Sequence, residues 1–223
     1  METLSPVTVV LVDSQELILQ AVARLLSSAG LRVVAEAHSG EDGIRMVGEL
    51  RPDVVIAGLI LRGMSGIEMV ERLSVLAPTS PVLVLTNSAD PPDVIEAILA
   101  GASGYVLKDA PPDEIVAAAR ATAAGDCAIS SHVAGCLFAR IREREIAVTA
   151  RSEDASATIR ALLTAREFEI FKRLPSGKTN HEIGSELSLS GNTVKNHIAS
   201  ILDKLDLDNR IQAAVQAVRH GFS

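Results

Sequence analysis

Tryptophan is absent from the chain, tyrosine occurs once and phenylalanine four times. So thin a supply of rings argues against recognition of single-stranded nucleic acid, where successive bases stack on aromatic side chains. Cysteine occurs only as Cys127 and Cys136, with no close CxxC pair. That usage fits a reducing compartment and offers no thiolate metal motif. The five histidines, at 38, 132, 181, 197 and 220, fall into no ligand spacing, so neither a metal nor a cofactor is expected. No apolar run approaches the roughly 18 residues of a membrane span. The opening METLSPVTVV lacks the basic start and apolar core of a signal peptide. A cytoplasmic location with no membrane partner is the expectation.

Positive charge is also scarce, but unevenly so. The formal net charge is -7. Residues 1–159 hold 12 Lys and Arg against 21 Asp and Glu, whereas residues 160–223 hold 9 against 7. An acidic front and a mildly basic back suggest two functions in one chain.

The front half alternates short apolar runs with helical patterns. Strands are expected at 7–12, 32–37, 54–57, 82–85 and 104–107, and helices at 16–28, 40–49, 67–76, 93–100 and 112–124. Strands that are nearly continuous apolar runs, separated by helices, predict an α/β fold with a parallel, doubly wound sheet. Five such units match the flavodoxin-like order, whose crevice lies beyond the carboxyl ends of the strands. A further helical run at 130–146 leads into the polar linker AVTARSEDASAT. From residue 159 onward the pattern is all helix. The expected domains are therefore 1–126, a helical segment and linker at 127–158, and a second domain at 159–223.

Asp13 and Ser14, Gly58, Thr86 and Lys108 follow strands one, three, four and five, and should converge on the crevice. One Asp, one Thr and one Lys make no nucleophile–base pair, so no catalytic residues and no enzyme are expected. Asp53 cannot stand in for Gly58. It lies about 16 Å upstream along the strand, at an odd offset that points it to the other face. Ser65 reads as a turn residue.

In the second domain, TNHE forms a capping box of Thr179 and Glu182. The helix it starts stops at SLSG, and Ser190 caps a second helix with Val194, Ile198, Ile201 and Leu205 on one face. Two short helices around a tight turn form a helix-turn-helix, whose second helix enters the major groove of duplex DNA. Its other face carries Asn192, Lys195, Asn196 and Ala199. Lys suits guanine O6/N7 and Asn suits adenine N6/N7. Thr179, Asn180, Thr193 and His197 are short polar groups suited to phosphate oxygens.

LVDS, DVVIAGLILRGMSG, VLVLTN and GASGYVLKDAPP resemble the receiver domain of bacterial response regulators. LTARE, SGKTNHEIG, LSGNTVKNHI, ILDKLDLDNR and QAAVQAVRHG resemble the LuxR-type helix-turn-helix of the NarL/FixJ branch. The first resemblance implies an acidic pair and a phosphoacceptor Asp around Mg²⁺, with a Thr, an aromatic and a Lys sensing the phosphate. Here Thr86, Tyr105 and Lys108 match, but Ser14 replaces the second acid and Gly58 the phosphoacceptor. Glycine has no nucleophile, so acyl-phosphate formation at 58 is excluded. One Asp and a neutral Ser make a poor Mg²⁺ site. Lys108 is expected to pair with Asp13 instead, because an unpaired buried charge is costly. Regulation should then pass through dimerisation or through a small ligand in the emptied crevice.

The second resemblance implies duplex DNA as partner, with Lys195 and Asn196 at base edges and Thr179, Thr193 and His197 near the backbone. It also implies a homodimer, with Ile211, Ala214, Val215 and Val218 on the contacting face of the last helix. Asp206 and Asp208 add negative charge at the recognition helix's far end, which makes pairing of subunits matter more for affinity. A protein-interaction adaptor with weak or no DNA binding is the rival reading.

Overall fold

Consecutive apolar residues bury both faces of the central strands. In the computed structural model, which describes residues 6–126, 128–129 and 158–222, Val9, Val10, Leu11 and Val12 are each no more than 2 % exposed. The described residues fall into two compact units, 6–124 with 128–129, and 125–126 with 158–222.

The first unit runs β1 (Thr8–Val12), α1 (Glu16–Ser28), β2 (Arg32–Ala37), α2 (Gly40–Leu50), β3 (Val54–Ala57), α3 (Gly66–Leu76), β4 (Val82–Thr86), α4 (Pro91–Leu99), β5 (Gly104–Leu107), α5 (Pro112–Ala123) and β6 (Ala128–Ile129). The strands are parallel, in the order β2-β1-β3-β4-β5-β6. The doubly wound order is as expected, but the sheet has six strands rather than five. β6 adds only two residues to the edge, Ala128 opposite Gly104 and Ile129 opposite Tyr105. Two residues are too few to display any period. Pro91 opens α4 two residues earlier than expected, at a first-turn position where its missing N–H costs nothing.

Val9, Leu11, Val54 and Ile56 pack with Leu19, Val22 and Leu26 of α1 and Ile115, Ala118 and Ala119 of α5. The alternate residues Val10, Val12, Val55 and Ala57 are equally buried, with Val12 against Gly43 of α2. Edge strand β2 exposes Arg32 and Glu36, charges that discourage further pairing. At the amino end of the sheet, Asp53 accepts hydrogen bonds from the Thr8 backbone N–H at 2.8 Å and hydroxyl at 2.7 Å. It therefore ties β1 to β3 at the end remote from the crevice.

The second unit contains a helical stretch at 158–162, α6 (Ala165–Phe171), a 3₁₀ turn (Leu174–Ser176), α7 (Asn180–Leu187), α8 (Gly191–Leu205) and α9 (Arg210–Arg219). Thr179 and Glu182 form the expected capping box, and Ser190 caps α8 through the Thr193 N–H. Ile170, Phe171, Ile183, Val194, Ile198 and Ile201 fill the core. The α7–α8 turn closes over Gly184, where a Cβ would lie 2.6 Å from the Leu189 carbonyl oxygen. The expected helix at 130–146 and most of the linker after it lie outside the described residues. Among the described residues, no helix is long and apolar enough to cross a membrane.

Candidate functional site

In the first unit, Asp13 and Thr86 are buried at the carboxyl ends of β1 and β4, 4 % and 5 % exposed. The Asp13 carboxylate is fully engaged. Oδ1 accepts from the Gln15 N–H at 2.9 Å, and Oδ2 lies 2.6 Å from Lys108 Nζ. Both ionic side chains are enclosed, at 6 % and 11 % exposure. The pairing anticipated for Lys108 is therefore made. In such surroundings, removing one partner is costly because the other is left charged and dry.

Gly58 is what gives this pair its room. A Cβ at 58 would sit 2.7 Å from Asp13 Oδ2, closer than real Cβ atoms come. The carboxylate thus occupies ground that any side chain at 58 would claim. Ser14 turns its hydroxyl to the Ile60 carbonyl at 2.9 Å. Ser65 caps α3 through the Glu68 N–H at 3.1 Å, in keeping with a turn residue. A hollow bordered by Asp13, Gly58 and apolar neighbours of β1, α1, β3 and β4 measures about 10 Å³, space for one water at most. Among the described residues, no group of acids, histidines and cysteines could hold a metal ion.

Beside the ion pair, Thr86 Oγ1 accepts from the Ser88 N–H at 3.2 Å, and the Tyr105 hydroxyl donates to the Ser88 carbonyl at 2.9 Å. Burial pushes the Tyr105 phenol up to about 12, and the nearby Asp93 carboxylate adds to the shift. Ser88 in turn donates to Asp93 in the first turn of α4 at 2.5 Å. Tyr105 therefore fastens the β4–α4 loop to β5.

In the second unit, α8 exposes Asn192, Lys195, Asn196 and Ala199 along one side, with Thr193 and His197 half-buried beside them. Thr179 is exposed at the start of α7, its hydroxyl shared with Glu182. Asn180 departs from expectation. It is only 5 % exposed, and its Oδ1 accepts from Arg210 Nη1 at 2.7 Å. The first turn of α7 faces α9, so Asn180 supports the fold instead of facing a phosphate. Ile211 is 3 % exposed and lies outside the core cluster of the second unit. α9 turns Ala213 and Ala217 into the core and leaves Ala214, Val215 and Val218 half-buried.

Sequence reasoning missed Glu167. It forms a capping box with Thr164, a pattern readable from T-x-x-E. It also accepts from Ser200 Oγ at 2.7 Å and Lys204 Nζ at 2.6 Å, both on α8. Burial alone would raise its pKa, but the bonds from Lys204, Ser200 and Thr164 prevail and hold it down at about 2.

Residues 9–120 match the response regulator receiver domain, and residues 161–217 match the bacterial regulatory proteins of the luxR family. The chain is 37 % identical over 215 residues to the transcriptional regulatory protein LiaR of Bacillus subtilis, covering 96 % of this chain and 98 % of that one. It is 33 % identical over 216 residues to the nitrate/nitrite response regulator protein NarL of Escherichia coli K12, covering 96 % of each. Among solved structures, response regulator ChrA of a heme-sensing two-component system is 32 % identical. That likeness has a TM-score of 0.52 over 99 % of this chain and all of the other. A LuxR-family two-component response regulator from Aurantimonas sp. SI85-9A1 is also 32 % identical. Its TM-score is 0.58, over 61 % of this chain and 98 % of its own.

Proposed function

The chain belongs to the response regulators that join a receiver domain to a LuxR-family DNA-binding domain, and on that premise we propose that it regulates transcription without phosphorylation of its receiver. The observation that carries this reading is the Asp13–Lys108 ion pair, closed over Gly58 where the family resemblance puts a phosphoacceptor. Glycine offers no oxygen to attack a phosphoryl donor. Mg²⁺ demands several hard oxygens in near-octahedral array. Here Asp13 is already occupied, and the Ser14 hydroxyl is turned to a carbonyl.

Signalling then passes through the pairing of two copies. In the DNA complex, Asn192, Lys195 and Asn196 read base edges, and Thr179, Thr193 and His197 contact the backbone. Ile211 and the half-buried Ala214, Val215 and Val218 on α9 form the contact between copies. The expected target is an operator of two half-sites about one helical turn apart. The crevice supplies no nucleophile–base pair, which favours a regulator over an enzyme.

The test compares binding to promoter DNA with and without acetyl phosphate and Mg²⁺, using one preparation throughout. Unchanged affinity is the expected outcome. A clear rise with acetyl phosphate would mean that another residue accepts the phosphoryl group, and would overturn the reading.

A further inference from the structure

Specific readout needs the recognition helix held at one roll about its own axis. The core face of α8, formed by Val194, Ile198 and Ile201, is 0–4 % exposed. Apolar burial is non-directional and tolerates small rotations of the helix. Hydrogen bonds are directional and do not. Ser200 and Lys204 stand four residues apart, hence one above the other, on the flank between that core face and the exposed Asn196 side. Both meet the same acceptor. Glu167 takes Ser200 on Oε1, and takes Lys204, the Thr164 N–H and the Thr164 hydroxyl on Oε2, at 2.6–2.8 Å. Its side chain is 5 % exposed. A capping-box carboxylate normally serves only its own helix. This one also fastens the start of α6 to the flank of α8.

We propose that Glu167 is the positioning residue for operator recognition, fixing the roll of α8 through Ser200 and Lys204 so that Asn192, Lys195 and Asn196 meet base edges. The proposal rests on the DNA-binding reading and adds the group that aims the helix. Lys204 is held by Glu167, so its role is to carry that constraint and not to meet a phosphate.

The experiment selects duplexes from a random library with the full-length protein. It then measures affinity for a selected duplex and for random-sequence duplex. Glu167→Gln retains the capping box, which accepts Glu or Gln, but loses the charge that holds Lys204. Discrimination between the two duplexes should fall about tenfold or more, the scale of one base-edge contact, with random-duplex affinity unchanged. Lys204→Gln should lower discrimination similarly, and the double variant should lose no more than either single one, because both remove the same link. Ser200→Ala, which leaves the ion pair in place, gives a second reading should Glu167→Gln unfold. Equal loss on both duplexes after Lys204→Gln would identify a phosphate contact and overturn the proposal. So would unchanged discrimination in all three single variants. Failure of the wild-type protein to select any sequence would remove the DNA-binding reading itself.

Discussion

Lys108 lies among groups that would strand its charge were Asp13 absent, and the reverse is equally true. Lys108→Met should therefore destabilise the first unit by about 3–5 kcal/mol, the cost of leaving one buried ion alone. Adding Asp13→Asn should recover part of that loss, and urea unfolding of the single and double variants measures both effects. Tyr105 provides a second local test, because the chain has one tyrosine and no tryptophan. Its folded pKa of about 12 lies above the ordinary value of 10. The buried phenol thus adds stability below pH 10 that is lost as pH rises through about 12. Absorbance of the native protein near 295 nm should step at about 12, and in urea near 10. A native step near 10 would mean that the Tyr105 hydroxyl is open to water.

At the scale of the elements, the second unit spends four of the nine Lys and Arg at 160–223 on ion pairs with its own glutamates. Lys172 and Arg173 pair with Glu169 at 2.7 and 2.9 Å, Arg173 and Lys178 with Glu186, and Lys204 with Glu167. Ions already neutralised release few counterions on binding DNA. The log–log dependence of affinity on salt should therefore be shallow, with a slope of about -1 to -3 per copy. Filter binding across a salt series measures it, and a slope steeper than about -5 per copy would show that these pairs open on the duplex. Asp206, in the left-handed conformation that ends α8, sits at a helix terminus that already carries partial negative charge. It too tells against a strong electrostatic contribution there.

For the whole molecule, two units with separate cores mean that DNA recognition and its regulation rest on different folding units. If pairing of copies through α9 is what joins them, Val218→Asp should weaken binding to a two-half-site operator about tenfold or more, at the loss of avidity. Binding to a single half-site should stay as it was. Equal effects on both duplexes would place Val218 in the fold of its own domain.

Periodicity and cap chemistry make most of the architecture legible in the sequence. Apolar strands separated by amphipathic helices predict the parallel sheet, and Thr179 with Glu182 and Ser190 mark the starts of α7 and α8, because these signals are local. The Asp13–Lys108 pair was legible too, since a lost carboxylate at 58 leaves Lys108 needing another partner. Contacts between elements were not legible. Asn180 looked suited to phosphate at a helix start, yet Arg210, thirty residues on, claims its side chain. β6 was too short to carry a pattern. Glu167 announced its capping box but not its grip on Ser200 and Lys204, because local spacing determines a cap, whereas only the packing of α6 against α8 brings the carboxylate to that flank.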